Sequence, residues 1–351
     1  MGAVGYGTRR GGFTAVKKLI NSIDHVVDEA LDGMVLAFPQ YLVRVPDTHV
    51  LARAVPKAQG KVGIVSGGGS GHEPAHGGYV GYGMLDAAVA GEVFTSPTPD
   101  QVLAGIKAAD HGGGVLLVVK NYTGDVMNFD IAREMAEAEG IQTGTVTVND
   151  DVAVEDSLYT SGRRGIAGTV FVHKVAGALA ELGASLEEVA AGANAVIANV
   201  ASMGFALEPC TVPAAGKPTF ELAGDEMEMG IGIHGEPGTH RMKVEAASEL
   251  TRHLFVKIAA DLELVAGTRV VAMVNGMGAT PLLELAVMAN ELGRLAAGEG
   301  LALEQVFLGE FMTSLEMAGA SLTLLRVDER RLELIGSSCD TPALRQGVKF
   351  G

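Results

Sequence analysis

One stretch constrains this chain more than any other: Val62–Pro74, VGIVSGGGSGHEP. Val62-Gly63-Ile64-Val65 is a short apolar run, the mark of a strand buried on both faces of a parallel sheet. It leads into Ser66-Gly67-Gly68-Gly69-Ser70-Gly71, predicted as a turn that delivers His72-Glu73-Pro74. Adjacent glycines expose backbone N–H groups and admit a small ligand close to the chain. In α/β sheets, ligands settle at such strand ends.

The rest of the pattern agrees. Apolar spacing over 14–32 predicts a helix capped by Thr14, and Pro39, Pro46 and Pro56 mark an irregular connection. Thr98-Pro99-Asp100 opens a helix to about Ala109, with Pro at its first turn and an acid beside the dipole. Val115–Val119 is a second buried strand, ending at Lys120-Asn121-Tyr122-Thr123-Gly124-Asp125. Asp125 opens the next helix, to about Glu139, and Thr145–Val148 is a third strand. Strand-helix alternation of this kind builds a parallel α/β sheet. It places the loops 66–72 and 120–125 on one sheet edge.

Two helices are predicted over 166–203, the second capped by Ser185 with Glu187 and Glu188 in its first turn. A hinge follows at 204–220, where three prolines fall. Beyond it come a strand at Met229–His234, a helix at 243–261 and a strand at Val270–Val274. A helix to Ala296 and strands near 305–311 and 320–326 complete the series. The expected fold class is α/β in two domains. The first, 1–190, has a mostly parallel sheet flanked by helices. The second, 191–335, is smaller with a mixed sheet, and 336–351 is a tail.

Composition excludes several classes. With 26 basic and 42 acidic residues among 351, the net charge of −16 leaves no basic footprint for nucleic acid or an anionic membrane. Cys210 and Cys339 are too few for a disulfide framework. The N-terminal MGAVGYGTRRGG lacks an apolar stretch behind its arginines, and no apolar run reaches the length of a membrane span. A cytoplasmic protein is expected.

Three familiar motifs fail on their letters. A P-loop needs Lys and Ser or Thr after the last glycine, where this chain has His72-Glu73. The dinucleotide fingerprint needs a third glycine where Pro74 stands. His72-Glu73-Pro74-Ala75-His76 matches H-E-x-x-H, which holds zinc only within a helix. Glycines on both sides and Pro74 inside oppose one, so no metal is expected. His234, in GIHGEPG, could be a surface histidine, Asp125 a routine N-cap and Lys120 a solvated strand end. His111, His173, His240 and His253 are read as structural. In combination, His72, Lys120, Asp125 and His234 could grip a small carbonyl compound, with a base and an electrostatic stabiliser.

At this point SGGGSGHEPAHGGYVG, GEVFTSPTPDQVLAGI, VVKNYTGDVMNF, GIGIHGEPG and VNGMGATP resemble, in order, the dihydroxyacetone kinase K-subunit family. The likeness spans about 15–345. It implies that His234 adds to the substrate ketone and holds it as a hemiaminal, a bond that rejects glycerol, which shape alone discriminates poorly. It implies that His72 activates substrate and that Gly69, Ser70 and Gly71 line the pocket. Asp125 takes the proton of the terminal hydroxyl and binds substrate, and Lys120 contacts it. It also implies a homodimer without a cofactor of its own. ATP or ADP with magnesium would sit on a separate helical DhaL-type L subunit, in many bacteria recharged by a phosphotransferase-system protein. The chain ends without the helical nucleotide domain of single-chain relatives, so it is expected to supply the acceptor half. Two alternatives stand beside this: a non-catalytic ketone-binding sensor or co-activator, and a kinase subunit for another short ketose such as erythrulose.

Overall fold

The structure is a computed structural model that describes residues 16–154 and 160–347. After helix α1 (Val26–Ala37), the first sheet gathers β1 (Leu42–Arg44), β2 (Val50–Arg53), β3 (Gly63–Ser70), β4 (Ala87–Val93), β5 (Val115–Lys120) and β6 (Thr143–Val148). Their order is β1-β2-β4-β3-β5-β6. The pairs β3–β4, β3–β5 and β5–β6 are parallel, and the β1–β2 and β2–β4 pairs at one edge are antiparallel. Helices α2 (Pro99–Ala109) and α3 (Thr123–Ala138) cover one face through Val102, Ile106, Phe129 and Ala132. Helices α4 (Thr169–Leu182) and α5 (Leu186–Ile197) cover the other. Ser185 and Glu188 close a full capping box at the start of α5, and losing the cap would cost about 1 kcal/mol.

The second sheet holds β7 (Val200–Glu208), β8 (Glu226–Met229), β9 (His240–Lys243), β10 (Arg269–Gly276), β11 (Ala302–Glu310) and β12 (Ala318–Arg326), in the order β11-β10-β12-β7-β8-β9. Only β10–β11 is parallel, so this sheet is mixed. Helices α6 (Ala247–Asp261) and α7 (Leu282–Gly298) bury Leu254, Ile258, Leu285 and Leu292 against one face. The opposite face presents Val271, Met273, Phe307 and Leu325 to the core of the first sheet. Phe171 of α4 meets Phe307 edge-on at 5.4 Å, so one apolar layer joins the two units. Helix α8 (Glu329–Gly336) returns onto α4, and Asp340 bridges to Tyr82.

Several elements differ from expectation. The first helix begins at Val26, because the Asp24 N–H donates to Ser22 Oγ (3.2 Å) and holds the chain in a local turn; its expected cap, Thr14, lies outside the described residues. The glycines expected in a turn instead extend β3 to Ser70, where bare backbone allows close packing on β4. The 39–56 connection contains β1 and β2. Val200–Glu208 is a buried inner strand between β12 and β8, where a helix end and a hinge were expected. The strand expected at 229–234 stops at Met229, since Gly230 adopts a φ of 71° and turns the chain. Residue 190, the expected border, falls inside α5, whose packing on α4 and β6 joins it to the first sheet.

Candidate active site

Parallel β3 and β5 run side by side, and their carboxyl ends bring the two polar segments together. Lys120, the last residue of β5, has no exposed surface; its Nζ donates to Gly67 O (2.7 Å) and His76 Nε2 (2.9 Å). Asp125 Oδ2 lies 3.5 Å from the same ammonium. Gly68 makes room for this pair: at a φ of 151°, a Cβ there would land on Lys120 Nζ. Asp125 sits in the first turn of α3, 2 % exposed, and among the described residues its Oδ1 has no hydrogen-bond partner. That oxygen keeps an open acceptor position at the helix N-terminus, where a negative charge is favoured.

His72 stands two residues past the end of β3 and is fully buried. Its Nδ1 stands 2.9 Å from Thr313 O, and a carbonyl only accepts, so Nδ1 carries the hydrogen. Burial foremost, with the charges of His234 and Lys120, holds the His72 pKa well below the ordinary histidine value. The ring is neutral, its Nε2 bare. His234 Nε2 is 3.1 Å away and supplies the hydrogen for that contact. Burial foremost, then Lys120 and Arg164, pushes the His234 pKa down to about 3. His234 meets Tyr122 edge-on at 4.4 Å and Phe94 at 5.4 Å, while Phe94 stacks on His72 at 5.2 Å. Aromatic faces therefore fix both imidazoles.

The turn bearing His234 is anchored from below. Its backbone N–H donates to Glu236 Oε2 (2.9 Å), and Glu236 Oε1 accepts from the Arg164 guanidinium (3.2 Å). Arg164, 1 % exposed, also donates to Asp151 Oδ2 (2.8 Å) and Gly230 O (2.9 Å). Desolvation raises the Asp151 pKa to about 6 against the pull of Arg164.

His234 and Asp125 line one cavity of about 690 Å³, together with Gly69, Phe94, Tyr122 and Thr219. His72 stands behind it, reaching it through His234. Of the three residues expected to line a substrate pocket with their backbone, Gly69 borders this cavity and a neighbouring groove alike. Ser70 and Gly71 line that groove, apolar and of about 530 Å³, under α1. Ser70 Oγ is spent on Gly91 O (2.7 Å), and the Gly71 N–H on the Glu73 side chain (3.0 Å). Lys120, expected to contact substrate, is absent from the cavity lining; it backs Asp125 instead, because β5 is still a buried strand at that residue.

The residues around 72–76 form no helix, and no group of three His, Cys, Asp or Glu among the described residues could hold a metal. No described helix is long and apolar enough to cross a membrane. Sequence reasoning missed Arg164, Glu236 and His76. Glu236 lies within GIHGEPG, and the H-E-x-x-H spacing presents His76 only as a zinc ligand. Nothing local marked Arg164. His173, read as structural, touches His76 (3.1 Å).

Fold and site together define a two-sheet α/β protein with a cavity at the carboxyl ends of parallel strands, the usual place of a ligand in such sheets. The chain belongs to the Dak1 domain family, matched over residues 32–343. It is 55% identical over 329 residues, 93% of this chain and 100% of the relative, to the "PTS-dependent dihydroxyacetone kinase 1, dihydroxyacetone-binding subunit DhaK" of Listeria innocua. Among solved structures it is similar to the dihydroxyacetone kinase of C. freundii, with a TM-score of 0.86 and 33% identity, covering 96% of this chain and 62% of that one. It is equally similar in shape to the dihydroxyacetone kinase operon co-activator Dha-DhaQ, with a TM-score of 0.86, 37% identity and 91% and 98% coverage.

Proposed function

We propose that this chain is the dihydroxyacetone-binding subunit of a dihydroxyacetone phosphotransferase, holding the ketone on His234 while its terminal hydroxyl is phosphorylated. The observation that carries the reading is the contact between His234 Nε2 and His72 Nε2 beside the cavity lined by Asp125. His72 Nε2 takes the proton from His234 Nε2 as that nitrogen bonds to the ketone carbon. The carbonyl π bond breaks, and the new oxygen receives the proton, giving a neutral hemiaminal. Neutral imidazoles are required for this, and burial keeps both neutral. Asp125 then accepts the terminal hydroxyl proton as that oxygen bonds to phosphorus and the donor's leaving group departs.

The donor belongs to a partner in this reading. The relative's name calls it a binding subunit, and the glycine stretch here lacks the Lys and Ser or Thr of a phosphate cradle. A nucleotide with magnesium on a DhaL-type subunit would supply the phosphoryl group and neutralise its charge. The cytoplasmic homodimer implied by resemblance is part of the same reading; light scattering tests the dimer. A cavity of about 690 Å³ exceeds a three-carbon ketone and leaves room for the incoming phosphoryl group. It also admits a four-carbon ketose, which direct competition would rank.

The test uses dihydroxyacetone labelled with carbon-13 at its central carbon. The native protein should move that signal from the ketone to the tetrahedral region, and His234→Ala should leave it at the ketone position. An adduct that survives in His234→Ala overturns the assignment. The likeness to a co-activator favours a second reading, a ketone sensor. It predicts the adduct with no phosphoryl transfer under any nucleotide-bearing partner.

A further inference from the structure

Behind Asp125 lies a buried row of groups that the reaction scheme above leaves unused: Lys120, His76, His173 and Ser66, each 6 % exposed or less. Hydrogen-bond chemistry fixes its polarity. Burial lowers the Lys120 pKa, but Asp125 Oδ2 at 3.5 Å opposes this and holds the ammonium. An ammonium only donates, so His76 Nε2 accepts from Lys120 at 2.9 Å and carries no hydrogen. A neutral His76 then bears its hydrogen on Nδ1. Two atoms face that nitrogen, His173 Nε2 at 3.1 Å and Ser66 Oγ at 3.5 Å. Ser66 spends its own hydrogen on Val118 O (2.7 Å), so it too can only accept from His76. His173 must therefore hold its hydrogen on Nδ1, which is buried without a partner among the described residues.

An unpaired buried donor costs stability. The fold retains it because a hydrogen on His173 Nε2 would confront the one on His76 Nδ1. Protonating His76 would likewise aim an N–H at the Lys120 ammonium. Burial and the Lys120 charge oppose that, holding the His76 pKa well below the ordinary value. Only one arrangement of hydrogens avoids two donors facing each other along the row, and it ends by pinning Lys120 between Gly67 O and Asp125 Oδ2.

We propose that His76, locked by His173, is a positioning residue for phosphoryl transfer: it fixes the Lys120 ammonium and through it the rotamer of Asp125. The role rests on Asp125 being the base, as proposed above. It predicts a division of labour, since the row approaches Asp125 while ketone capture belongs to His234 and His72. Loss of the acceptor at 76 should impair the transfer step and leave capture intact.

Three measurements test this. In His76→Leu, which offers Lys120 no acceptor, kcat with a nucleotide-bearing partner should fall on the order of 10²-fold, the cost of a roughly 1 Å misplacement of a reacting group. KM for dihydroxyacetone and the carbon-13 adduct should stay within about threefold. His76→Gln, whose amide oxygen can accept from Lys120, should recover kcat to within about fivefold of the native protein. Equal losses in the two variants, or a kcat loss matched by loss of the adduct, would reduce His76 to a structural role and overturn the proposal. Nitrogen-15 spectra of the native protein, assigned with His76→Gln, give a readout independent of the Leu variant's folding. They should show His76 neutral with hydrogen on Nδ1, and hydrogen on Nε2 overturns the row. An adduct missing from the native protein would instead refute the reading of His234.

Discussion

His234 and His72 approach through like nitrogens, Nε2 to Nε2 at 3.1 Å, with their rings 84° apart. Two neutral imidazoles can meet this way only if one donates. The Thr313 carbonyl decides which, by claiming the hydrogen of His72 Nδ1. The pair is thus set for proton transfer from His234 to His72. In His72→Ala, the rate of adduct formation should fall roughly 10²–10⁴-fold, the usual share of a positioned base. Rapid-mixing kinetics with dihydroxyacetone measures it, and a rate within threefold of native would remove His72 from the step.

Asp125 tests the second half of the scheme. Asp125→Asn preserves size and should leave the proposed His234 adduct intact, but an amide takes no proton from the hydroxyl. Phosphoryl transfer with a nucleotide-bearing partner should drop at least about 10²-fold. Near-native turnover would show that the base lies elsewhere.

Arg164 is expected to matter for stability. Arg164→Met leaves Asp151 and Glu236 buried without their cation, which costs about 3–5 kcal/mol when one member of a buried pair is removed. Denaturant unfolding should show the loss. Glu236 would also lose its hold on the His234 backbone, so adduct yield should fall in whatever protein remains folded. An unchanged unfolding midpoint would argue against the anchoring role.

Acid should destabilise the fold in a defined window. His173 and His234 titrate at about 3 in the folded protein, against about 6.5 when unfolded. Between those values the unfolded state binds more protons, so stability is complete above pH 6.5 and is lost as pH falls toward 3. Each such histidine contributes a slope on the order of 1.4 kcal/mol per pH unit. His72 and His76 shift the same way. Asp151, raised to about 6, pulls oppositely, as do Asp150, Glu73 and Glu310, also raised by burial, whereas the lowered Asp86 acts with the histidines. Urea midpoints should therefore drop clearly from pH 7 to pH 5; equal midpoints would mean the histidines are not buried as described.

Helices with strong end signals were legible in the chain. Thr98-Pro99 and Ser185–Glu188 announce their starts by local chemistry, and α2 and α5 begin there. The Ala- and Gly-rich β4 was not legible, because its residues become a strand only between β2 and β3. Val200–Glu208 carries a pattern open to helix or strand, and its place between β12 and β8 decides it.

What the residues dictate unaided is the inventory: buried apolar strands, capped helices, and short glycine-framed or helix-opening polar segments carrying His72, Asp125 and His234. Those depend on interactions a few residues apart, which any reader of the chain can sum. Which groups finally touch was decided in three dimensions. His72 and His234 stand 162 positions apart, and Thr313 and Arg164 come from regions with no local mark of function. Their meeting follows from two sheets packing through one apolar layer, and such packing has no signature within a short window of sequence.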